Sequence, residues 1–350
     1  MALRFIDSVA HVNSKNLGAR KWTNMGVAGW SPNGGRRNAP YWAFGGTLLK
    51  TLTHQNRYIQ GAAVQMQPGA GVLGGRILSL VNNGTELLSI FMNSDATLSA
   101  MIAGTHTGVS SIAIADPGAW HYYEMDGLLS SVAGNVAGTA VVMVDGNLIG
   151  TFTGTSNLGT AGLISNAATA NQVGVISASG MGFMDYYCLD TSTTDINGIN
   201  GSTNTAFLGD VEIDAIFPNA DITTQWGTVG GDGTHAYTCV NETSPDDDTS
   251  YVFTTASGSS EAFTYQPIVG FTGTLLGAQY LCCARKDAEG SRVFQMTVGT
   301  NVSTSIEFLQ ANSFLSDFYV YYICPLDTDF GTAWTTSVFN AETFGVKLVG

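Results

Sequence analysis

The sequence predicts an all-β protein made of two antiparallel β-sandwich domains. Charged residues make up only 11% of the 350 residues, and no long amphipathic helix rich in Glu, Lys and Leu is visible. Glycine is frequent, at 43 residues. Short runs of Val, Ile, Thr, Tyr and Phe alternate with Gly, Asn, Asp and Ser along the chain. This pattern is typical of many short strands joined by tight turns.

The clearest predicted element lies at 120–154. Its first six side chains alternate with the period of two that marks a strand. An apolar run at 141–144 is followed by Asp145-Gly146 and then by a second apolar run at 148–152. Asp-Gly tolerates the positive φ angles of a tight type I′ turn. The stretch therefore predicts one strand followed by a β-hairpin.

The remaining elements follow from the same kind of pattern. In the first half we expect strands at 3–12, 40–52 (a strand, a turn and a strand), 58–67 (with a bulge at Gly61), 76–93 (a hairpin across Asn83-Gly84), 96–104, 172–176 and 182–190, and a turn-rich loop at 31–38. In the second half we expect strands at 209–218, 249–255, 262–270, 275–285, 292–299, 305–310, 317–325 and 344–350, and a helix at 337–344.

A polar segment rich in Gly and Asn, 191–205, predicts a domain boundary. We therefore expect one domain at 1–208 and a smaller acidic domain at 209–350. The charge differs between them: 1–208 holds 9 basic and 10 acidic residues, and 209–350 holds 4 and 17. The acidic half argues against binding of nucleic acid.

The first 60 residues form a basic head, with 8 basic residues and one acid, Asp7. Arg20, Lys21, Arg36 and Arg37 are the candidate partner-docking residues within it. The alternative is a solvated face, since charge clusters usually lie on one. Our hypothesis is that this region, or an edge of a sheet, contacts a neighbouring protein and leaves the acidic domain pointing outward.

Neither a secretory leader nor a disulfide framework is expected. The N-terminal MALRFIDSVAH lacks the apolar core of a signal peptide, and no apolar run is long enough for a membrane helix. The five Cys are irregularly spaced and form no CxxC pair, which favours buried free thiols in a reducing cytoplasm; they are Cys188, Cys239, Cys282, Cys283 and Cys324.

Candidate catalytic and metal sites are weak. Glu212 and Asp214 lie on one face of the expected strand and match part of the E-x-D-x-x-E run of laminarinase-type glucanases, but the third acidic position is Phe217. The acidic run 246–248 is compatible with a calcium ion, although a solvated acidic turn is the simpler interpretation. The five His are scattered and form no metal-binding spacing. We expect no catalytic residue, metal or cofactor.

Aromatic residues near the Arg36-Arg37 loop offer a candidate carbohydrate platform. They are Trp22, Trp30, Tyr41 and Trp42. Large rings more often pack in a core, and the alternation in PYWAF favours that interpretation.

Several segments carry a resemblance to known proteins. The turn V-D-G between two apolar runs resembles the concanavalin A-like or laminin G-like jelly roll. The chain as a whole resembles bacteriophage virion proteins with an N-terminal concanavalin A-like domain and a smaller C-terminal β-domain. The segments that carry the resemblance are ALRFIDSVAH (2–11), ARKWT (19–23), MNSDATLSA (92–100), GAWHYYEM (118–125), MDYYCLD (184–190), GDVEIDAIFPN (209–219), ETSPDDDTSYV (242–252), ARKDAEGSR (284–292) and FGVKLV (344–349).

The resemblance implies a non-enzymatic structural component of a phage particle, made in the bacterial cytoplasm and located in the virion. We expect a tail protein first, either a tail fibre or a minor tail protein that contacts the host surface. The alternatives are a decoration (cement) protein that stabilises the head, a lectin for a host-surface glycan, and a residual glycosidase. The expected partners are other virion proteins and further copies of the chain, without nucleic acid or membrane insertion.

Overall fold

The computed structural model describes residues 2–8, 21–25, 28–66, 74–132, 135–156, 169–192, 204, 206–286, 291–307 and 319–350. Within these residues nearly all regular structure is strand, and every pairing between strands is antiparallel. The prediction of an antiparallel all-β fold is confirmed. The chain divides into two compact units.

The first unit contains residues 1–192 and 204–213, and the second contains 214–350. The boundary expected between residues 208 and 209 falls inside a segment that packs with the first unit. The strands of the first unit are β1 (Ala2–Asp7), β2 (Asn24–Met25), β3 (Ala28–Ser31), β4 (Tyr41–Gln55), β5 (Arg57–Met66), β6 (Gly75–Asn82), β7 (Thr85–Met92), β8 (Leu98–Ile102), β9 (Thr105–Thr107), β10 (Trp120–Val132), β11 (Asn135–Val144), β12 (Asn147–Ser156) and β13 (Ala170–Asp190).

Strand β13, which is 21 residues long, connects the two layers of the first unit. The order of hydrogen-bonded strands is β12-β11-β10-β5-β13-β6-β7-β8-β9, with β1 and β4 also paired to β13. Residues 172–174 of β13 pair with β6, whereas 181–190 pair with β5. Register shifts interrupt β13 between these two parts. Bulges of this kind let one strand turn a corner and belong to two layers.

Three glycines mark where the layers face each other. A Cβ added at Gly127 of β10 would lie 2.8 Å from Leu80 of β6, and one at Gly138 of β11 would lie 3.4 Å from Ile102 of β8. A Cβ at Gly154 of β12 would also reach Ile102, at 3.0 Å. Strands β10–β12 therefore pack face to face on β6–β8, as in a β-sandwich.

The hairpin predicted at Asp145-Gly146 is confirmed. Asp145 and Gly146 have φ angles of 49° and 75°, and Val144 pairs with Asn147 across the turn. The Asp145 carboxylate accepts a hydrogen bond from the backbone N–H of Tyr122 (2.8 Å), and its other oxygen lies 2.7 Å from Nδ1 of His121. These contacts fix the turn to the start of β10.

Four local predictions are wrong. Residues 40–52 do not form two strands joined by a turn. Strand β4 instead continues through Gly46, which lies opposite an irregular part of β13. Segments 172–176 and 182–190 are both parts of β13. Gly61 is regularly paired with β10, and the bulge lies in β13 instead. Residues 209–217 form no strand.

The second unit is built around an apolar core between two sheets. Its elements are β14 (Pro218–Thr224), β15 (Gly227–Val229), β16 (Tyr251–Phe253), β17 (Ser260–Tyr265), β18 (Ala278–Ala284), β19 (Val293–Val298), β20 (Asn301–Val302), β21 (Ile306–Glu307), β22 (Val320–Leu326), α1 (Thr336–Ala341) and β23 (Phe344–Leu348). The larger sheet contains β14-β17-β23-β19-β20, and β18 pairs with β22 in a separate ribbon.

The core of this unit joins β19 and β23 to β22. Phe294 and Tyr322 meet edge to face with ring centroids 4.9 Å apart, and Met296, Trp334 and Phe344 pack around them. The expected helix at 337–344 exists but ends at Ala341, because Phe344 already begins β23. In the described part of the chain, no helix is long and apolar enough to cross a bilayer.

Candidate functional site

The two predicted docking residues Arg36 and Arg37 lie in a short 3-10 turn between β3 and β4. Arg37 and Asn38 have positive φ angles of 55° and 61°, so the turn-rich loop expected from the sequence is present. The backbone N–H of Gly34 donates to the Asn38 side chain at 3.3 Å, which closes the loop. Both guanidinium groups point toward one carboxylate, that of Asp185.

Asp185 belongs to a bulge of β13. Met184 pairs with Ala63 and Tyr187 pairs with Gly61, which leaves one extra residue on β13. Asp185 has φ = 49° and is fully buried. Its Oδ2 lies 3.5 Å from Nη1 of Arg36 and 3.5 Å from Nη2 of Arg37. The bulge therefore redirects a carboxylate inward to face two cations.

The same arginines bind the segment 210–213. Arg36 pairs with Asp210 and donates to the carbonyl of Val211 at 3.4 Å. Nε of Arg37 lies 2.8 Å from Oε1 of Glu212. The backbone N–H of Ile213 donates to Asp185 at 3.4 Å. We call these residues, with Asp185, the arginine cluster.

A second anchor holds the preceding residues. The Tyr187 hydroxyl donates to the buried carboxylate of Glu124. The backbone N–H of Leu208 donates to the Tyr187 oxygen at 3.1 Å, and that of Gly209 donates to Glu124 at 2.9 Å. Gly61 makes this possible, since a Cβ there would lie 2.4 Å from the Tyr187 ring. Residues 208–213 are thus fastened to the sandwich at successive positions.

Burial dominates the electrostatics of both carboxylates. Loss of hydration raises the pKa of Asp185 to about 6, although Arg37 and Arg36 act in the opposite direction. Burial also raises the pKa of Glu124, opposed by its hydrogen bonds from Tyr187 and Gly209. Perturbed carboxyl groups of this kind are common at functional sites, but ion-pair networks that only hold a structure produce them as well.

The other predicted docking residues behave differently. Lys21 is buried, and its Nζ lies 3.1 Å from Asp7, so it offers no surface charge. Arg20 lies outside the described residues. Arg4 pairs with Asp190 and Arg57 with Asp126. The described basic residues of the head are therefore largely neutralised by acids from elsewhere in the unit and do not form the basic surface that the sequence suggested.

The four aromatic residues considered as a carbohydrate platform are buried or half-buried. Trp22 and Trp42 are buried, which confirms the interpretation as core, and Trp30 and Tyr41 are half-buried. The Trp22 indole N–H donates to Asp7 at 2.5 Å, and its ring meets Phe5 edge to face at 4.8 Å.

The remaining candidate residues take structural roles. Glu212 is bound to Arg37, and Asp248 accepts hydrogen bonds from Arg285 (2.5 Å) and Tyr319 (2.9 Å). Asp246 accepts from Ser250, as an acidic turn would. In the described part of the chain, no group of three His, Cys, Asp or Glu side chains is arranged to hold a metal ion. All five Cys are free thiols, and three of them are buried.

Sequence reasoning missed Asp185, Glu124 and Tyr187. A signal for the two acids existed, since each is the single acid in a run of mostly apolar and aromatic residues, GFMDYYCL and WHYYEM. Such a residue is rarely buried without a partner. The sequence could not identify the partners of Asp185, because the arginines lie about 150 positions before it.

No family model matches the chain, and no curated protein matches it. Among solved structures, the cellulose induced protein Cip1 is 12% identical with a TM-score of 0.36, covering 54% of this chain and 98% of that chain. Sheep galectin-11 in complex with glycerol is 10% identical with a TM-score of 0.26 (40% and 95%). The catalytic domain of the glycoside hydrolase family 131 protein from Coprinopsis cinerea is 9% identical with a TM-score of 0.29 (54% and 95%).

Replacement of Arg36 tests the arginine cluster. Arg36→Ala leaves the buried Asp185 with Arg37 as its one cationic partner and breaks the contacts of Arg36 with Asp210 and Val211, so we expect the free energy of unfolding to fall by about 2 kcal/mol. Arg37→Ala is the matched control. Its side chain is 39% exposed, against 18% for Arg36, so water screens its pairs with Asp185 and Glu212 and the loss should stay below about 1 kcal/mol. Urea unfolding followed by tryptophan fluorescence measures both, and equal losses would contradict the assignment.

The raised pKa of Asp185 predicts a pH dependence. Its folded-state pKa, about 6, lies above the ordinary value of 3.8, so its contribution to stability is complete below about pH 4 and is lost as pH rises through 6. Asp185→Asn stays neutral. Its stability relative to the wild type should therefore increase between about pH 4 and 7, by up to about 3 kcal/mol. Unfolding curves across this range measure the difference, and parallel pH profiles would refute the prediction.

Proposed function

We propose that this chain is a non-enzymatic structural protein of a bacteriophage virion, associated with the tail as a fibre or minor tail protein. The segments that resemble phage virion proteins support this proposal. One structural observation carries it further: the first unit has a long, uncharged edge strand, β12, that is suited to assembly with another chain.

Among the described residues, β12 is an edge strand of its sheet, and a side chain of β9 contacts its outer side only near Thr153 and Gly154. β12 pairs with β11, and among the described residues no other strand pairs with it. The carbonyl of Thr153 accepts a hydrogen bond from the Thr107 hydroxyl at 2.8 Å, so it points away from β11. Because backbone groups alternate along a strand, those of Thr151 and Thr155 point the same way. All three threonine side chains are exposed.

The charge around β12 favours a second copy of this chain as its partner. The chain has a net charge of −14, yet Asp145 is the only charged residue from 127 to 184. Two copies therefore meet little repulsion along β12. Proteins that must avoid edge pairing place charged residues or Pro on such strands, and β12 has neither. We infer that two β12 strands pair antiparallel about a two-fold axis and continue the sheet across the interface.

The arginine cluster supports a structural role for the first unit. Glu212, which an enzymatic reading would use, is bound to Arg37, and Arg36 and Arg37 serve to fasten residues 210–213. Of the two attachment modes that we considered, docking through the basic head is therefore less favoured than docking through an edge of a sheet. Head decoration remains the runner-up location, since edge pairing suits either site.

Charge on the outer edge should prevent self-association. Thr151→Lys with Thr155→Lys places two cations on each edge, and the pair of edges would then carry four. We expect the wild type to elute as a dimer or larger, and the variant as a monomer with an unchanged circular dichroism spectrum. Thr85→Lys is the control, because Thr85 is also exposed but β7 has neighbours on both sides. Light scattering after gel filtration measures the masses, and a monomeric wild type would rule out the pairing.

Particle labelling tests the location. Purified particles of the phage that encodes this chain are labelled with gold-tagged antibody against residues 209–350 and imaged. Label at the tail tip or shaft is the expected result. Label over the head would replace the tail assignment with the decoration role. Particles that lack the chain by both labelling and mass spectrometry would refute the virion proposal.

A further inference from the structure

A groove of about 490 Å³ opens on the first unit beside β7, β8 and β9. It lies on a different set of strands from the arginine cluster and from β12. The described residues that line it are Gly74, Phe91, Asn93, Ser94, Ser99, His106 and Val109. They combine a phenyl ring and an aliphatic side chain with several hydrogen-bonding groups, and none of them is Lys, Arg, Asp or Glu. A groove of this size accommodates a small ligand.

A continuous chain of hydrogen bonds orients the polar groups of the groove. Ser99 donates to Oδ1 of Asn93 (3.2 Å), and Nδ2 of Asn93 donates to the Thr97 hydroxyl (2.9 Å). Thr97 in turn donates to Asp95 at 2.6 Å. Nδ1 of His106 lies 3.2 Å from the Ser99 oxygen. Since the single proton of the Ser99 hydroxyl is directed to Asn93, we assign Nδ1 of His106 as the donor to the Ser99 oxygen.

The direction of the hydrogen bond between His106 and Ser99 determines which ring nitrogen of His106 can accept a hydrogen bond from a ligand. In the neutral ring only one nitrogen carries hydrogen, so Nε2 is left as an acceptor. Ser99 is buried, and its oxygen forms a fixed support beneath the imidazole. His106 itself is exposed. The fold therefore holds an oriented acceptor at the surface, supported by side chains that end on a carboxylate.

The apolar part of the groove is also fixed. The Phe91 ring meets the His106 ring edge to face, with centroids 4.6 Å apart and planes at 89°. Val109 is 65% exposed. Its loop is tied to β8 by Ser110, whose backbone N–H donates to the Leu98 carbonyl at 2.7 Å. Phe91 and Val109 thus place two apolar surfaces beside the hydrogen-bonded polar side chains of the groove.

We propose that this groove binds a neutral sugar residue of a glycan. A sugar ring presents apolar C–H groups on its faces and hydroxyl groups on its edge, which matches Phe91 and Val109 on one side and His106 with Asn93 on the other. The absence of formal charge from the lining selects a neutral sugar over an acidic one. This inference goes beyond the structural role proposed above and holds for a location in either tail or head.

Saturation-transfer NMR of the full-length protein tests the proposal. Glucose, galactose, mannose and N-acetylglucosamine are the probes. We expect transfer to at least one of them, and His106→Ala should weaken that sugar's binding by about tenfold or more. His106→Phe keeps a ring against Phe91 but removes the acceptor, so it should fail in the same way. His54→Ala removes another exposed histidine outside the groove and should bind as the wild type does.

A second variant separates binding from folding. Ser99→Ala removes the acceptor of the Nδ1 proton, so the nitrogen-15 shifts of His106 should move away from the Nδ1–H tautomer and binding should weaken while the protein stays folded. The proposal is overturned if none of the four sugars receives saturation. It is equally overturned if transfer occurs but is unchanged by His106→Ala and His106→Phe.

Discussion

The buried carboxylate of Asp185 joins three parts of the first unit that are far apart in sequence. It lies on the bulge of β13, faces the guanidinium groups of Arg36 and Arg37, and accepts a backbone hydrogen bond from Ile213. Burying a charge without partners is strongly unfavourable, so the loop, the strand and the segment 210–213 must come together around it. The arrangement of this side of the sandwich depends on that requirement.

Charge along the sequence was a poor guide to charge on the surface. The first 60 residues carry a strong positive excess, yet the fold pairs Arg4, Lys21 and Arg57 with acids that are near or far in the chain. Counting charges in a window ignores pairing between distant strands. The range from 127 to 184 contains one charged residue, Asp145, and β12 within it has neither an acid nor a base, so its low charge is the same in the sequence and in the fold.

Local patterns predicted the fold well where they depend on neighbouring residues. The hairpin at Asp145-Gly146 needs only a turn that accepts positive φ and two flanking apolar runs, and it is present. Gly46 and Gly61 were misread because a glycine inside a strand can mark a turn, a bulge or a close approach of another ring, and only the partner strand decides. The arginine cluster depends on contacts between segments about 150 residues apart, so the sequence singled out Arg36, Arg37 and Glu212 but not their shared neighbour Asp185. The polar side chains of the His106 groove are close in sequence, but no recognised motif marks them.

The central position of β13 has a consequence for how the protein is made. β1 pairs with residues 186–190, so within the described part of the first unit the earliest strand in sequence pairs with the last one. Strands β4, β5 and β6 also need β13 to complete their ladders. Such non-local pairing slows folding and leaves strand edges uncovered during synthesis. Until residue 190 has been translated, the edges of β1, β4, β5 and β6 that pair with β13 therefore lack their partner.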